Sequence, residues 1–352
     1  MGMVLVLAAF LWGLGWAVGA PVRARLIMLA VLYLAVLGLH LALPFGHPLR
    51  VATGGEAAPW LIFGGMGVIA GAYAVALRAL RRRAMAREGS EAAEVPMQQA
   101  SFTDTELERY ARHIVLRELG GPGQKKLKAA RVLVIGAGGL GAPALQYLAA
   151  AGVGTIAVID DDVVENANLQ RQVIHADDRI GMPKVFSAEV AIKALNPYVE
   201  VKPYHRRLED DVAEELFAAY DLILDGTDNF DTRYLSNRAA VATGKPLISG
   251  ALAQWEGQLS VFDPSSGSPC YQCIFPEAPA PGLAPSCAEA GVIAPLPGVV
   301  GSMMAVEAIK LITGAGAPLR GEMLIYDALY SETRKITLKS RSDCPICSHV
   351  AR

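Results

Sequence analysis

The 352-residue chain predicts an α/β fold, a doubly wound and mostly parallel sheet, preceded by three transmembrane helices. Three observations carry this. Apolar runs of near-membrane length open the chain. A short β-branched run further on leads into a glycine-rich turn, a helical stretch and a second β-branched run. Charge divides along the same line, +6 over residues 1–90 and −8 over residues 91–352.

The hydrophobic content of 53% and the mean hydropathy of +0.33 are high for a soluble enzyme. The excess lies in Met1–Ala20, Leu26–Leu43 and Trp60–Leu80. Each approaches the ~20 residues that cross ~30 Å of hydrocarbon as a helix. They contain no acid, and their basic side chains, His40 and Arg78, sit near run ends where they can snorkel. The first run has no basic leader and is followed by Pro21, so it reads as an uncleaved anchor. Arg23 and Arg25 follow the first run, and Arg78, Arg81, Arg82, Arg83 and Arg87 cluster at the third, whereas the loop Pro44–Pro59 has only Arg50. The positive-inside rule then places the N-terminus outside and everything after Arg83 in the cytoplasm, as a multi-pass protein of the inner (cytoplasmic) membrane. Residues 84–100, rich in Ala, Glu and Gln with Pro96, read as a flexible linker between a 1–83 anchor and a 101–352 domain. The net negative charge of that domain argues against a nucleic-acid partner, which needs concentrated positive charge.

Thr103-Asp-Thr-Glu106 is a capping box and predicts a helix over Asp104–Leu119. Tyr110, Arg112, His113 and Arg117 on it form either a solvated face or a functional one. Arg131–Ile135 lacks alternation, as expected of a strand buried on both faces. It enters Gly136-Ala-Gly138-Gly139-Leu-Gly141, then a helix to about Ala151 and a strand Thr155–Ile159 ending at Asp160. This is a Rossmann-like βαβ unit. Its glycines let backbone N–H groups approach phosphates at a helix N-terminus, and Asp160 suits a ribose. A nicotinamide dinucleotide would be read the same way up to this point. Arg171 and Lys184, just beyond, favour a triphosphate with its extra charge. A third buried strand, Leu222–Leu224, ends in Asp225-Gly-Thr-Asp228-Asn229. Strand C-termini are where open parallel sheets bind ligands, so Asp228 is either a magnesium ligand or an Asx-turn residue.

Cys270-Tyr-Gln-Cys273 and Cys344-Pro-Ile-Cys347 are two C-x-x-C knuckles. They predict one tetrahedral thiolate zinc site that ties the C-terminal region to the body. Four thiolates leave no open position, which makes the metal structural. Cys287 lies apart, in a small-residue loop.

Together these segments resemble the ThiF/MoeB/HesA family, bacterial relatives of ubiquitin-activating enzymes, and most of all its molybdopterin-synthase adenylyltransferase branch. The resemblance rests on Arg109-Tyr-Ala-Arg112-His, the glycine loop, Asn168-Leu-Gln-Arg171-Gln, Gly181-Met-Pro-Lys184, Thr227-Asp-Asn229, Cys287-Ala-Glu-Ala-Gly-Val and both cysteine pairs. It covers about residues 101–349; the membrane segment departs from it. The resemblance implies that ATP with Mg2+ is bound by Gly139, Asp160, Ala167, Asn168, Leu169, Gln170, Arg171, Lys184, Asp228 and Asn229. It implies a homodimer in which Arg112 reaches the neighbour's phosphates, with Arg171, Lys184 and Asp228 completing the catalytic set. The implied partner is a ubiquitin-like sulfur-carrier protein ending in Gly-Gly, for molybdopterin or thiamine sulfur transfer, with room for a cysteine desulfurase or sulfurtransferase beside it. Cys287 matches a cysteine that links covalently to the carrier in some relatives and is dispensable in others. Other readings are a HesA-like or tRNA-dehydratase-type member and, from another class, a non-catalytic membrane receptor for a carrier protein. The acidic charge disfavours the tRNA branch, and the intact Arg112, Arg171, Lys184 and Asp228 set disfavours the receptor.

Overall fold

A computed structural model describes residues 2–66, 69, 72–73, 102–279 and 290–350 and divides the chain into two units, Met1–Pro96 and Met97–Arg352. The first begins with helices α1 (Gly2–Ala17) and α2 (Val22–Ala42), joined by a turn at Gly19 and Pro21. A short α3 (Pro48–Ala52) and a helical stretch α4 (58–66) follow. Apart from Arg23, Arg25 and His40 in α2, both long helices are apolar, and most large side chains point outward, Trp16 74% and Leu34 62% exposed. Only Val4, Val36 and Trp60 form a buried apolar cluster here among the described residues.

This unit buries polar groups instead. His40, expected to snorkel, is turned inward: its Nε2 lies 2.9 Å from Thr53 Oγ1, whose own proton goes to the Leu49 carbonyl at 2.8 Å. The segment 43–59 folds back over the end of α2, so the ring meets protein before it meets a surface. Buried Arg50 donates to the carbonyls of Gly55 (3.0 Å) and Leu43 (2.9 Å) under the Phe45 ring. In this unit α2 is long and apolar enough to cross a membrane, while α1 has 16 residues. Most of the third apolar run beyond residue 66, Arg78, Arg81, Arg82, Arg83, Arg87 and the 84–100 linker lie outside the described residues.

In the second unit the β-branched runs form one mixed sheet ordered β3-β2-β1-β4-β5-β6-β7-β8. Strands β1 (Arg131–Ile135), β2 (Thr155–Ile159), β3 (Glu200–Tyr204), β4 (Leu222–Asp225) and β5 (Leu247–Ala253) pair in parallel. Strands β6 (Glu256–Phe262), β7 (Glu322–Asp327) and β8 (Glu332–Thr337) extend it antiparallel. Alternate strand residues feed opposite faces. Val132, Val134, Ile156, Val158, Leu222 and Leu224 meet α7 (Gly120–Ala129), α8 (Gly141–Ala151), α9 (Lys184–Leu195) and a long helix, Pro295–Thr313. Leu133, Ile135, Ala157, Ile159 and Ile223 meet α10 (Asp210–Ala218), α11 (Phe230–Thr243) and α12 (Tyr271–Ile274). Burial on both sides explains the unbroken apolar strands. The Pro295–Thr313 helix, α13, would also be long and apolar enough for a membrane, but half of it is buried against this sheet.

The capping box forms as expected, with Thr103 Oγ1 accepting from the Glu106 amide and Glu106 Oε2 from the Thr103 amide. The single helix expected over Asp104–Leu119 does not. It is α5 (Asp104–Arg109) and α6 (Ala111–Ile114), separated at Tyr110. Tyr110 is drawn into the core, its hydroxyl accepting from Asn196 Nδ2 at 2.8 Å, and this tertiary contact overrides local helix propensity.

Candidate functional site

The strand order reverses between β1 and β4, and the turns leaving the C-termini of both strands open onto one cavity of about 540 Å³. Ligands of open α/β sheets bind at such a switch point. Leaving β1, the chain turns through Gly136 at φ +89°, a conformation that a side chain resists. A Cβ on Gly141 would collide with the Gly136 carbonyl oxygen, so glycine there lets α8 start directly against the turn. From the end of β2, Asp160 Oδ2 accepts from the Ala137 amide and Oδ1 from the Asp162 amide, both at 2.8 Å. Burial pushes the Asp160 carboxyl up, while the nearby Lys184 charge and these amides oppose the rise.

Lys184 opens α9. It is 5% exposed, and its Nζ lies 2.6 Å from Asp162 Oδ2. Arg171 Nη1 donates to the Ala167 carbonyl at 3.2 Å. At the end of β4, buried Asp225 accepts from the Thr227 amide and hydroxyl, and the turn that results leaves Asp228 exposed at the cavity wall. Asn229 caps α11, accepting from the Thr232 amide at 2.9 Å.

Of the residues the sequence nominated, Gly136, Gly138, Gly139, Asp160, Arg171, Lys184, Asp228 and Asn229 come together around this cavity. Gly141 shapes the turn behind it. Ala167, Asn168, Leu169 and Gln170 form the neighbouring turn without lining the wall. Arg112 is exposed on α6 and is not brought to the cavity within this chain. Three further cations line it: Arg206, Arg207 and Arg233. The first two follow the C-terminus of β3 and were open to the same strand-end rule that singled out Asp228. Buried Arg233 donates to the carbonyls of Thr227 and Gly250 and to Ser249 Oγ, pinning the β4 turn to β5. Only its place one turn into α11 hinted at this. A glycine-rich turn, several cations and an exposed carboxylate suit a polyphosphate with a divalent ion.

Away from the cavity, the four knuckle cysteines are buried with Sγ atoms within 4.8 Å of one another. Their measured separations are 3.4 Å (Cys273–Cys347), 3.6 Å (Cys270–Cys344) and 3.9 Å (Cys270–Cys273). A tetrahedron of Zn–S bonds ~2.3 Å long spaces sulfurs ~3.8 Å apart, whereas a disulfide brings them to ~2 Å. The donor set fits zinc. Cys287 lies outside the described residues.

Fold and site together define a nucleotide-binding α/β protein of the doubly wound class, its ligand cradle at the switch point. The chain belongs to the ThiF family, matched over residues 110–346. It is 50% identical over 250 residues to a sulfur carrier protein adenylyltransferase of Thermus thermophilus, covering 70% of this chain and 92% of the relative. It is 48% identical over 247 residues to a SAMP-activating enzyme E1 of Haloferax volcanii, covering 70% and 91%. A crystal structure of E. coli MccB with ATP shares the fold at a TM-score of 0.60 and 22% identity, over 68% of this chain and 75% of that one.

Proposed function

We propose that this chain is an adenylyltransferase that uses ATP to activate the C-terminal glycine of a ubiquitin-like sulfur-carrier protein. The observation that carries the reading is the gathering of the glycine loop, Arg171, Lys184 and Asp228 around one cavity in a chain 50% identical, over 250 residues, to an enzyme named for that activity. The carrier's carboxylate oxygen attacks the α-phosphorus of ATP, the bond to the β-phosphate oxygen breaks, and pyrophosphate leaves from an acyl-adenylate. No base is needed, since the nucleophile is already ionised at neutral pH. The chain's own contribution is orientation and charge neutralisation. Loop amides at Gly138 and Gly139 face the phosphates, Arg171 and Lys184 offset their charge, and Asp160 takes the ribose. Lys184 exchanges Asp162 for phosphate oxygens. A Mg2+ ion held by Asp228 would add further neutralisation.

The same proposal extends to the assembly. Arg112, exposed and remote from its own cavity, acts on the partner's site in a homodimer. Zinc occupies the four cysteines as a structural ion, and Cys287 is a candidate for a covalent link to the carrier. Residues 1–83 hold the enzyme in the inner membrane through three spans, N-terminus outside and catalytic domain in the cytoplasm, with 84–100 as the linker. The molybdopterin and thiamine pathways both supply carriers of this kind, and a cysteine desulfurase or sulfurtransferase would deliver the sulfur.

The test is carrier-dependent ATP–pyrophosphate exchange by the full chain. Asp228→Ala and Arg112→Ala should each lower the rate by a hundredfold or more, on the scale of losing one transition-state contact. Mixed dimers of the two should regain part of it, since one of their sites is intact. An Asp228→Ala variant with unchanged exchange removes that residue from the mechanism, and failure to complement after proven subunit exchange confines Arg112 to its own chain. Binding of NADH without binding of ATP overturns the reading.

A further inference from the structure

His175 is buried, 7% exposed, and does not line the cavity, yet both ring nitrogens are engaged. Nε2 lies 2.9 Å from the carbonyl oxygen of Ala137, and Nδ1 lies 2.9 Å from the hydroxyl of Ser187 near the start of α9. A carbonyl can only accept, so Nε2 carries a proton; burial beside Lys184 and Arg179 disfavours a second one, which leaves Nδ1 to accept from the Ser187 hydroxyl. Ala137 is the residue between the first two glycines of the loop and is fully buried. Its amide is already held by Asp160 Oδ2 at 2.8 Å. The residue is therefore clamped from both sides, amide to β2 and carbonyl to His175.

The clamp has a directional consequence. Across a trans peptide the C=O and the following N–H point opposite ways, and no peptide here is cis. Fixing the Ala137 carbonyl toward His175 therefore turns the Gly138 N–H away from His175, and Gly138 and Gly139 line the cavity. Glycines on both sides of Ala137 leave this peptide plane free to flip unless something outside the loop holds it.

We propose that His175 is a positioning residue for the nucleotide: by holding the Ala137 carbonyl it aims the Gly138 amide at the phosphates before ATP arrives. This rests on the adenylyltransferase reading and adds a residue to it. The role is preorganisation, so it should act on nucleotide binding more than on the chemical step.

The experiment compares His175→Phe, which keeps a ring but offers no donor, with His175→Gln, whose amide can again donate to Ala137, in the full-length protein. ATP affinity is measured without carrier, and KM and kcat by pyrophosphate exchange. His175→Phe should weaken ATP binding and raise its KM about tenfold while kcat changes less than about threefold, and His175→Gln should recover much of the loss. In the wild type, nitrogen NMR of the ring should show the neutral Nε2–H tautomer at pH 7, a readout that stands even if a variant does not fold. A folded His175→Phe protein with unchanged ATP affinity, a His175→Gln protein no better than His175→Phe, or a ring protonated at Nδ1 would each overturn the proposal while leaving the function intact. Loss of ATP binding or exchange in the wild type itself would instead overturn the function, and this role with it.

Discussion

The two units solve burial in opposite ways. In Met97–Arg352 the strand residues Val132, Leu133 and Val134 are fully buried between helices, and the cations stay at the cavity or the surface. In Met1–Pro96 the large apolar side chains of α1 and α2 point outward, while His40, Arg50 and Thr53 are buried in hydrogen bonds to one another or to the backbone. One unit hides apolar surface from water, as the hydrophobic effect requires. The other would present it to water along whole helices, a liability that disappears in hydrocarbon. Similar residues thus face outward in one unit and inward in the other, and the same substitution should act differently in each.

The largest expected effect exploits that contrast. Val132→Asp should unfold the catalytic unit, since an unpaired acid in that core costs more than about 4 kcal/mol. Leu34→Asp, on the outward face of α2, should leave the catalytic unit folded and instead cost roughly 3 kcal/mol of membrane insertion. Thermal unfolding of the ATP-binding domain and retention after an alkaline carbonate wash read the two separately. A wild-type chain that washes off the membrane, or a Leu34→Asp variant that unfolds the catalytic unit, breaks the comparison.

Next in size, Cys344→Ala should release about one zinc per chain and destabilise the catalytic unit by several kcal/mol, since structural zinc binding is coupled to folding. The glycine loop and the N-terminal unit should be unaffected. Metal analysis of reduced, freshly purified protein decides this, and finding no zinc in the wild type removes the site.

The smallest effect is a pH dependence confined to the catalytic unit. Burial, with Lys184 and Arg179 close by, holds the His175 ring down to about 4, against 6.5 when exposed. Between these values the unfolded chain binds the extra proton. The contribution is therefore whole above about pH 6.5 and is lost as the pH falls toward 4, amounting to about 3 kcal/mol. Denaturant titrations across that range should show the decline in wild type and its absence in His175→Phe. An equal decline in both assigns it to other groups.

Much of the catalytic half is legible in the sequence. The strands Arg131–Ile135 and Thr155–Ile159, the glycine turn and the Thr103 capping box depend on residues adjacent in the chain, and local rules read them correctly. The strand-end rule singled out Asp228, and that residue lines the cavity. Arg233 and His175 were missed because their importance lies in carbonyls far away in sequence or across the fold, such as Gly250 and Ala137, which no local pattern marks. The expected helix over Asp104–Leu119 failed for a related reason, as the pull on Tyr110 comes from Asn196, 86 residues on.

What the sequence alone determined, then, is the set of units and chemistries that short-range spacing encodes: a nucleotide turn, a pair of thiolate knuckles, a run of apolar helices. Steric limits on glycine, the fixed reach of C-x-x-C and the periodicity of helix and strand are properties of neighbours along the chain. Only the tertiary structure decided which groups share a cavity and that His40 and Tyr110 turn inward. Those outcomes depend on contacts between residues from 13 to 86 positions apart, His40 with Thr53 and Tyr110 with Asn196, and there packing and buried hydrogen bonds outweigh local preference.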